Sequence, residues 1–260
     1  MTQDDYDRFA LEDELWDVLD EAWETNDDLK RAKLARDILT LNPKVIDAYY
    51  LLALSSGNTA ERLALLFEAT RRGRLQWKDA IKRPRQHDFW LDINTRPFMR
   101  ALHFLALTLW EMDEREAAIS EAKLLLKLNP NDNQGVRFIL MTWYPLMGDW
   151  ESLEKLLRKY GDEYRIYSAY SRWLLNFHMA EPTAKALKRA ININPYVPSL
   201  LAKLLTGVEM RQDESKSEEF VPAGSQEEAW EYIQFSSELW ENTDGAMLAI
   251  TSAAEAIALD

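Results

Sequence analysis

The sequence predicts an all-α fold, an α-solenoid of about five helix hairpins closed by a C-terminal helical cap. Three observations predict it. A helix stop recurs as Leu41-Asn42-Pro43, Leu128-Asn129-Pro130 and Ile193-Asn194-Pro195, each after a helical run. The last two prolines lie 65 residues apart, close to two units of about 34. Composition agrees: 8 Gly and 9 Pro in 260 residues are few for an all-β chain, and 47% hydrophobic residues supply a continuous core.

The elements follow in chain order. Glu12 to Asp47 supplies a first hairpin ending in LARDILTLNP, and Lys44 to Gly73 a short second one with Ala53 and Ala69 at helix contacts. Pro43 to Pro130 spans 87 residues, two units plus an insertion, which fits the weakly periodic stretch near 74–96. The third unit, Met99 to Asp132, is the most regular. Ala106 and Ala118 occupy its helix crossing, where axes about 8–10 Å apart need small side chains. Pro130 then ends the second helix by removing an amide donor. Two further units run from Asn133 to Asp162 and from Glu163 to Pro195. The repeats are expected to fill 1–207, with a polar loop over 208–225. Ser225 followed by Glu228 is a capping-box signature and opens capping helices over 226–260. An open stack needs such a cap to cover its last apolar face.

A helix-turn-helix period of this length resembles the tetratricopeptide repeat (TPR) superfamily, and MRALHFLALTLWEMDEREAAISEAKLLLKLNPND (Met99–Asp132) carries the likeness best. It departs from the pattern in having Met112-Asp113 where a turn glycine is common. FWLDINTRPFMRAL, LKLNPNDNQGVRFIL and AGSQEEAWEYIQFSSELWENTDGAM are similar to three blocks of bacterial TPR proteins, some grouped with the suppression-of-tumorigenicity-7-type family. The blocks span about Phe89 to Leu248, and Asn131 to Arg137 is their most specific string. The resemblance implies a TPR-like solenoid and an interaction role, with no enzymatic activity to carry over.

In a TPR the first helix of each unit lines a concave groove. Projecting the better units onto that pattern gives Arg100, His103, Phe104, Leu107 and Trp110, then Gln134, Arg137, Phe138, Met141 and Tyr144, then Arg165, Arg172 and Asn176. These hold four arginines and no acid, which suits an extended acidic peptide or a chain-terminal carboxylate. The competing reading pairs the arginines with neighbouring helices, for example with Asp132 or Glu163. The Lys/Asn clamp of chaperone-binding TPRs is not found.

Charge is uneven. The formal net charge of -13 disfavours nucleic acid as the default partner. Met1 to Asp28 holds 12 acids and one base, Arg8, which suggests an arm folding over the groove or the basic insertion. Arg71 to His87 holds seven basic residues and one acid. With Trp77, Phe89 and Trp90 to stack on bases, that segment carries the alternative reading, RNA binding. A third reading is a regulatory subunit of an enzyme. The final helix, with Met247, Leu248, Ile250 and Ile257, suits packing on the stack or homodimerisation.

Chemistry is sparse. No phosphate loop, nucleophile elbow or H-E-x-x-H occurs, and His87, His103 and His178 are far apart in sequence. Cys is absent, so disulfides and thiolate metal sites are excluded and a reducing compartment fits. No cofactor, metal or catalytic residue is predicted. An acidic N-terminus and the lack of any apolar run of about 18 residues predict a soluble cytoplasmic protein without a membrane span.

Overall fold

A computed structural model describes residues 3–161, 165–207 and 221–259, with side chains from 14 to 256 within those ranges. The described residues form fourteen α-helices and no strand. They divide into two compact units, Met1–Val136 and Arg137–Asp260. That division falls inside the stretch read as one run of repeats. Most of the expected polar loop lies outside the described residues.

The first unit holds α1 (Gln3–Glu24), α2 (Asp28–Leu41), α3 (Ile46–Leu54), α4 (Thr59–Gln76), α5 (Lys78–Lys82), α6 (Arg96–Glu111) and α7 (Arg115–Leu128). The starts of α2 and α4 are capped by short polar side chains. Asp27 accepts from the amides of Leu29 and Lys30 at 2.9 and 3.2 Å, and Asn58 accepts from that of Glu61 at 3.0 Å. Leu19 and Ala22 of α1 are buried with Ala35, Ile38, Ala48 and Leu51, so the acidic N-terminal helix is part of this core. Ala53, Ala69, Ala106 and Ala118 are all buried at helix contacts, as their spacing predicted. The 77–95 stretch loops out as α5 and two 3-10 turns, while α4 and α6 pack directly on each other. Gly73 permits that contact, because a Cβ there would meet the Phe98 ring.

The second unit holds α8 (Val136–Leu146), α9 (Trp150–Tyr160), α10 (Ile166–His178), α11 (Ala184–Ile193), α12 (Val197–Leu205), α13 (Gln226–Glu241) and α14 (Ala246–Leu259). Trp173, Tyr170, Tyr232 and Trp240 form its core; the Trp173 and Trp240 rings stack at 5.8 Å. The Trp240 indole N–H donates to the Tyr232 hydroxyl at 3.1 Å, which satisfies a buried donor. Ser225 accepts from the Glu228 amide at 3.0 Å and opens α13 as the capping signature requires. Ile250 is fully buried in this core and Met247 packs against it, whereas Leu248 is exposed. Two of the residues suggested for homodimerisation are therefore used within the chain, and the Ile257 side chain lies outside the described residues.

Two local motifs recur. The Asn of each Leu/Ile-Asn-Pro stop is the C-cap of α2, α7 or α11, with extended backbone at Asn42 and Asn194. Each Asn amide donates to the carbonyl four residues back at 2.8 to 2.9 Å. The second motif joins α6 to α7, α8 to α9 and α10 to α11. Asp113, Gly148 and Ala180 have positive φ, and the next amide closes on the carbonyl five residues earlier at 2.8 to 2.9 Å. This is the Schellman C-cap, whose left-handed residue is usually glycine. The three residues lie 35 and 32 positions apart. Only Gly148 announces the motif in the sequence.

Candidate functional site

The five residues projected from α6 lie on one face of that helix. Phe98, Met99, Ala101, Leu102, Leu105, Ala106, Thr108 and Leu109 are buried, and Arg100, His103, Phe104, Leu107 and Trp110 share the half-buried face. On that face Phe104 ends an aromatic row across three helices. Trp23 of α1 stacks on Tyr50 of α3 at 5.6 Å, and Tyr50 meets Phe104 edge-on at 5.8 Å. The Arg62 guanidinium lies 5.7 Å from the Phe104 ring centre, and Arg115 lies 4.8 Å from that of Trp110.

A cleft of about 640 Å³ adjoins the row, lined by α1, the α2–α3 turn and the start of α6. Trp16, Asp20 and Trp23 project from one face of α1, spaced as successive helical turns require. Trp16 is 59% exposed and Ile93, on the opposite lip, 74%. Such side chains gathered at one concave site form an apolar surface that a partner can cover.

Arg100 is committed inside the protein. Its Nη2 donates to both carboxylate oxygens of Asp47 at 2.8 and 2.9 Å, and its guanidinium sits 4.9 Å from the Trp23 ring centre. Burial pushes the Asp47 carboxyl above its ordinary range, while Arg100 pulls it down. The arginine read as a free anchor for an acidic ligand is thus the counter-ion of a buried carboxylate. His103 is held below its ordinary value by burial, partly offset by Asp132. Gln134 donates to the Met99 carbonyl at 3.3 Å and so ties the α7–α8 turn to α6.

The candidates in the second unit divide. Phe138 is half-buried and stacks on Tyr167 at 5.3 Å. Arg137 lies 4.2 Å from the Phe138 ring centre and 5.9 Å from that of Tyr160. Met141 and Tyr144 are corrections. Met141 is 0% exposed, with its sulfur accepting from the Ser168 hydroxyl at 3.7 Å, and Tyr144 is 7% exposed. Six consecutive buried residues, Leu140 to Pro145, show that this end of α8 is covered on more than one face, which a one-face projection misses. Arg165 is exposed at the N-cap of α10, and Arg172 is half-buried on that helix. Asn176 donates to the Pro182 carbonyl at 3.2 Å and closes the α10–α11 turn.

The basic insertion is largely neutralised where it continues α4. Arg71 and Arg72 both pair with Glu68 at 2.7 Å, and Arg74 pairs with Glu121. Lys78, Lys82, Arg83 and Arg85 remain exposed. Its aromatic residues are less open than base stacking requires. Phe89 is fully buried, Trp77 is half-buried against His87 and Phe89, and Trp90 is covered by Arg96 at 3.7 Å.

Among the described residues no group of three or more His, Asp and Glu is placed to hold a metal ion. No helix among them is long and apolar enough to cross a membrane. No protein-family model matches the sequence, and no curated protein matches it.

Proposed function

We propose that this chain is a non-catalytic interaction scaffold of the TPR-like α-solenoid kind, which holds a partner peptide or helix over the faces of α1, α3 and α6. One observation carries the reading: the Trp23–Tyr50–Phe104 row crosses α1, α3 and α6 and borders a cleft lined by the exposed Trp16 and Ile93. In a TPR these would be the first helices of successive units. The recurring Schellman turns and Asn-Pro stops support repeated hairpins. Contact is apolar and aromatic in the main, since Arg100 is already paired. The absence of cysteine fits action in the cytoplasm.

The test is capture from nuclease-treated lysate of the native host, comparing the wild-type chain with a Trp16→Glu/Ile93→Glu variant of equal helical content. A protein partner retained by wild type and lost by the variant supports the cleft. Equal capture by both overturns it.

The exposed Lys78, Lys82, Arg83 and Arg85 favour a second reading, RNA binding. It requires affinity that falls steeply with salt and is abolished by Arg83→Glu with Arg85→Glu. No binding at low salt removes it.

A further inference from the structure

A second cleft, of about 510 Å³, lies wholly within the second unit and plays no part in the scaffold reading. Its lining comes from the end of α8, the start of α9, the end of α10 and the α13–α14 turn. Phe177 and Leu239 give it apolar walls. Trp150 and His178 are stacked face to face, with ring centres 4.0 Å apart and planes 8° apart, so each ring covers one face of the other.

The Thr243 hydroxyl of this cleft donates to the Leu239 carbonyl at 2.7 Å, and two exposed polar side chains are left unspent. Asn242 and Asp244 both line it from the α13–α14 turn, and neither side chain makes a hydrogen bond or ion pair among the described residues. No lysine or arginine lines it. Asp244 is therefore the single formal charge of the lining when His178 is neutral. The helix ends here are of both signs. α8, α10 and α13 bring C-terminal ends, which carry partial negative charge. Of the opposing N-terminal ends, that of α9 is capped by Asp149, which accepts from the Ser152 amide at 3.0 Å, and that of α14 follows Asp244 itself.

An apolar pocket with a few convergent polar groups is the usual form of a small-molecule site. A carboxylate without a counter-ion beside aromatic faces selects a cation, because ring quadrupoles and the carboxylate attract the same charge. We propose that this cleft binds a small organic ammonium ion carrying a flat apolar body. Its ammonium group pairs with Asp244, Asn242 accepts a further N–H, and its body packs against the stacked Trp150–His178 pair.

Phenethylammonium is the probe and 2-phenylethanol its neutral analogue, each titrated against the full chain by ligand-observed NMR. The expected result is saturable binding of the ammonium about threefold to fivefold tighter than the alcohol, as an exposed carboxylate beside an aromatic pair supplies. Asp244→Asn removes that preference, and Trp150→Leu weakens both ligands. Asp17→Asn, on α1, controls for the net negative charge of the chain and leaves affinity unchanged. Circular dichroism confirms that each variant is folded. Equal affinity for amine and alcohol, no saturable binding to wild type, or an Asp244→Asn variant that keeps the preference overturns the proposal. So does an Asp17→Asn variant weakened as much as Asp244→Asn.

Discussion

The turns at Asn42 and Asn194 share one local chemistry and differ in what surrounds them. Each Asn ends a helix with its amide on the carbonyl four residues back. Each side-chain oxygen then accepts from the amide two residues on, Lys44 or Tyr196, at 3.0 Å across the proline. Asn42 is exposed, and its carbonyl accepts only from the Val45 amide of the same turn, at 3.3 Å. Asn194 is 0% exposed. Its Nδ2 donates to the Ser225 carbonyl at 2.8 Å and to Glu228 at 3.0 Å, and its own carbonyl accepts from the Tyr170 hydroxyl at 2.6 Å. One motif stops a helix; the other also fastens the start of α13 to the core. Local sequence sets the geometry of such a turn, and burial sets its energetic weight.

The largest expected effect breaks a buried link rather than a turn. Arg100→Ala leaves Asp47, whose side chain is 8% exposed, without its partner. We expect a loss of about 2–3 kcal/mol in chemical denaturation, reduced from the fully buried case because Arg100 itself is partly solvated. Asn194→Ala should cost about 2 kcal/mol, since Ser225 and Glu228 lose a buried donor. A loss equal to that of Asn42→Ala would break the comparison.

His103 sharpens the same point through pH. Its folded-state value is lowered by burial, so the folded chain binds fewer protons than the unfolded chain. The stability this histidine contributes is full above its unfolded value of about 6.5 and is lost as pH falls below it. His103→Gln should flatten the dependence of unfolding free energy on pH between about 7 and 5. An unchanged slope assigns the effect to other groups.

Smaller effects come from the Schellman turns. Ala180→Gly should stabilise by about 0.5–1 kcal/mol, because a left-handed backbone at φ 54° strains alanine and not glycine. Asn42→Ala should be smallest, at about 0.5 kcal/mol, because water replaces the lost acceptor.

Much of this fold was legible because its signals are local. The three Asn-Pro stops, the buried Ala106 and Ala118 and the Ser225 cap all stand where spacing placed them. The face of α6 was legible because the helix has one buried side and keeps one period. Met141 and Tyr144 failed because their end of α8 is buried beyond one face, and periodicity carries no signal for that. The left-handed turns at Asp113 and Ala180 were not legible because neither position carries the glycine that marks such a turn. Arg100 was found as a surface arginine, but its partner lies 53 residues away and no short pattern links them.

The most direct test of the partner face is site-specific photo-crosslinking in the native host, with a benzophenone amino acid at 16, 93 or 33. Lys33 is exposed on α2, outside the cleft lining. One protein crosslinked from 16 and 93 but not from 33 is the predicted result. Equal crosslinking from all three positions, or from 33 alone, would contradict it.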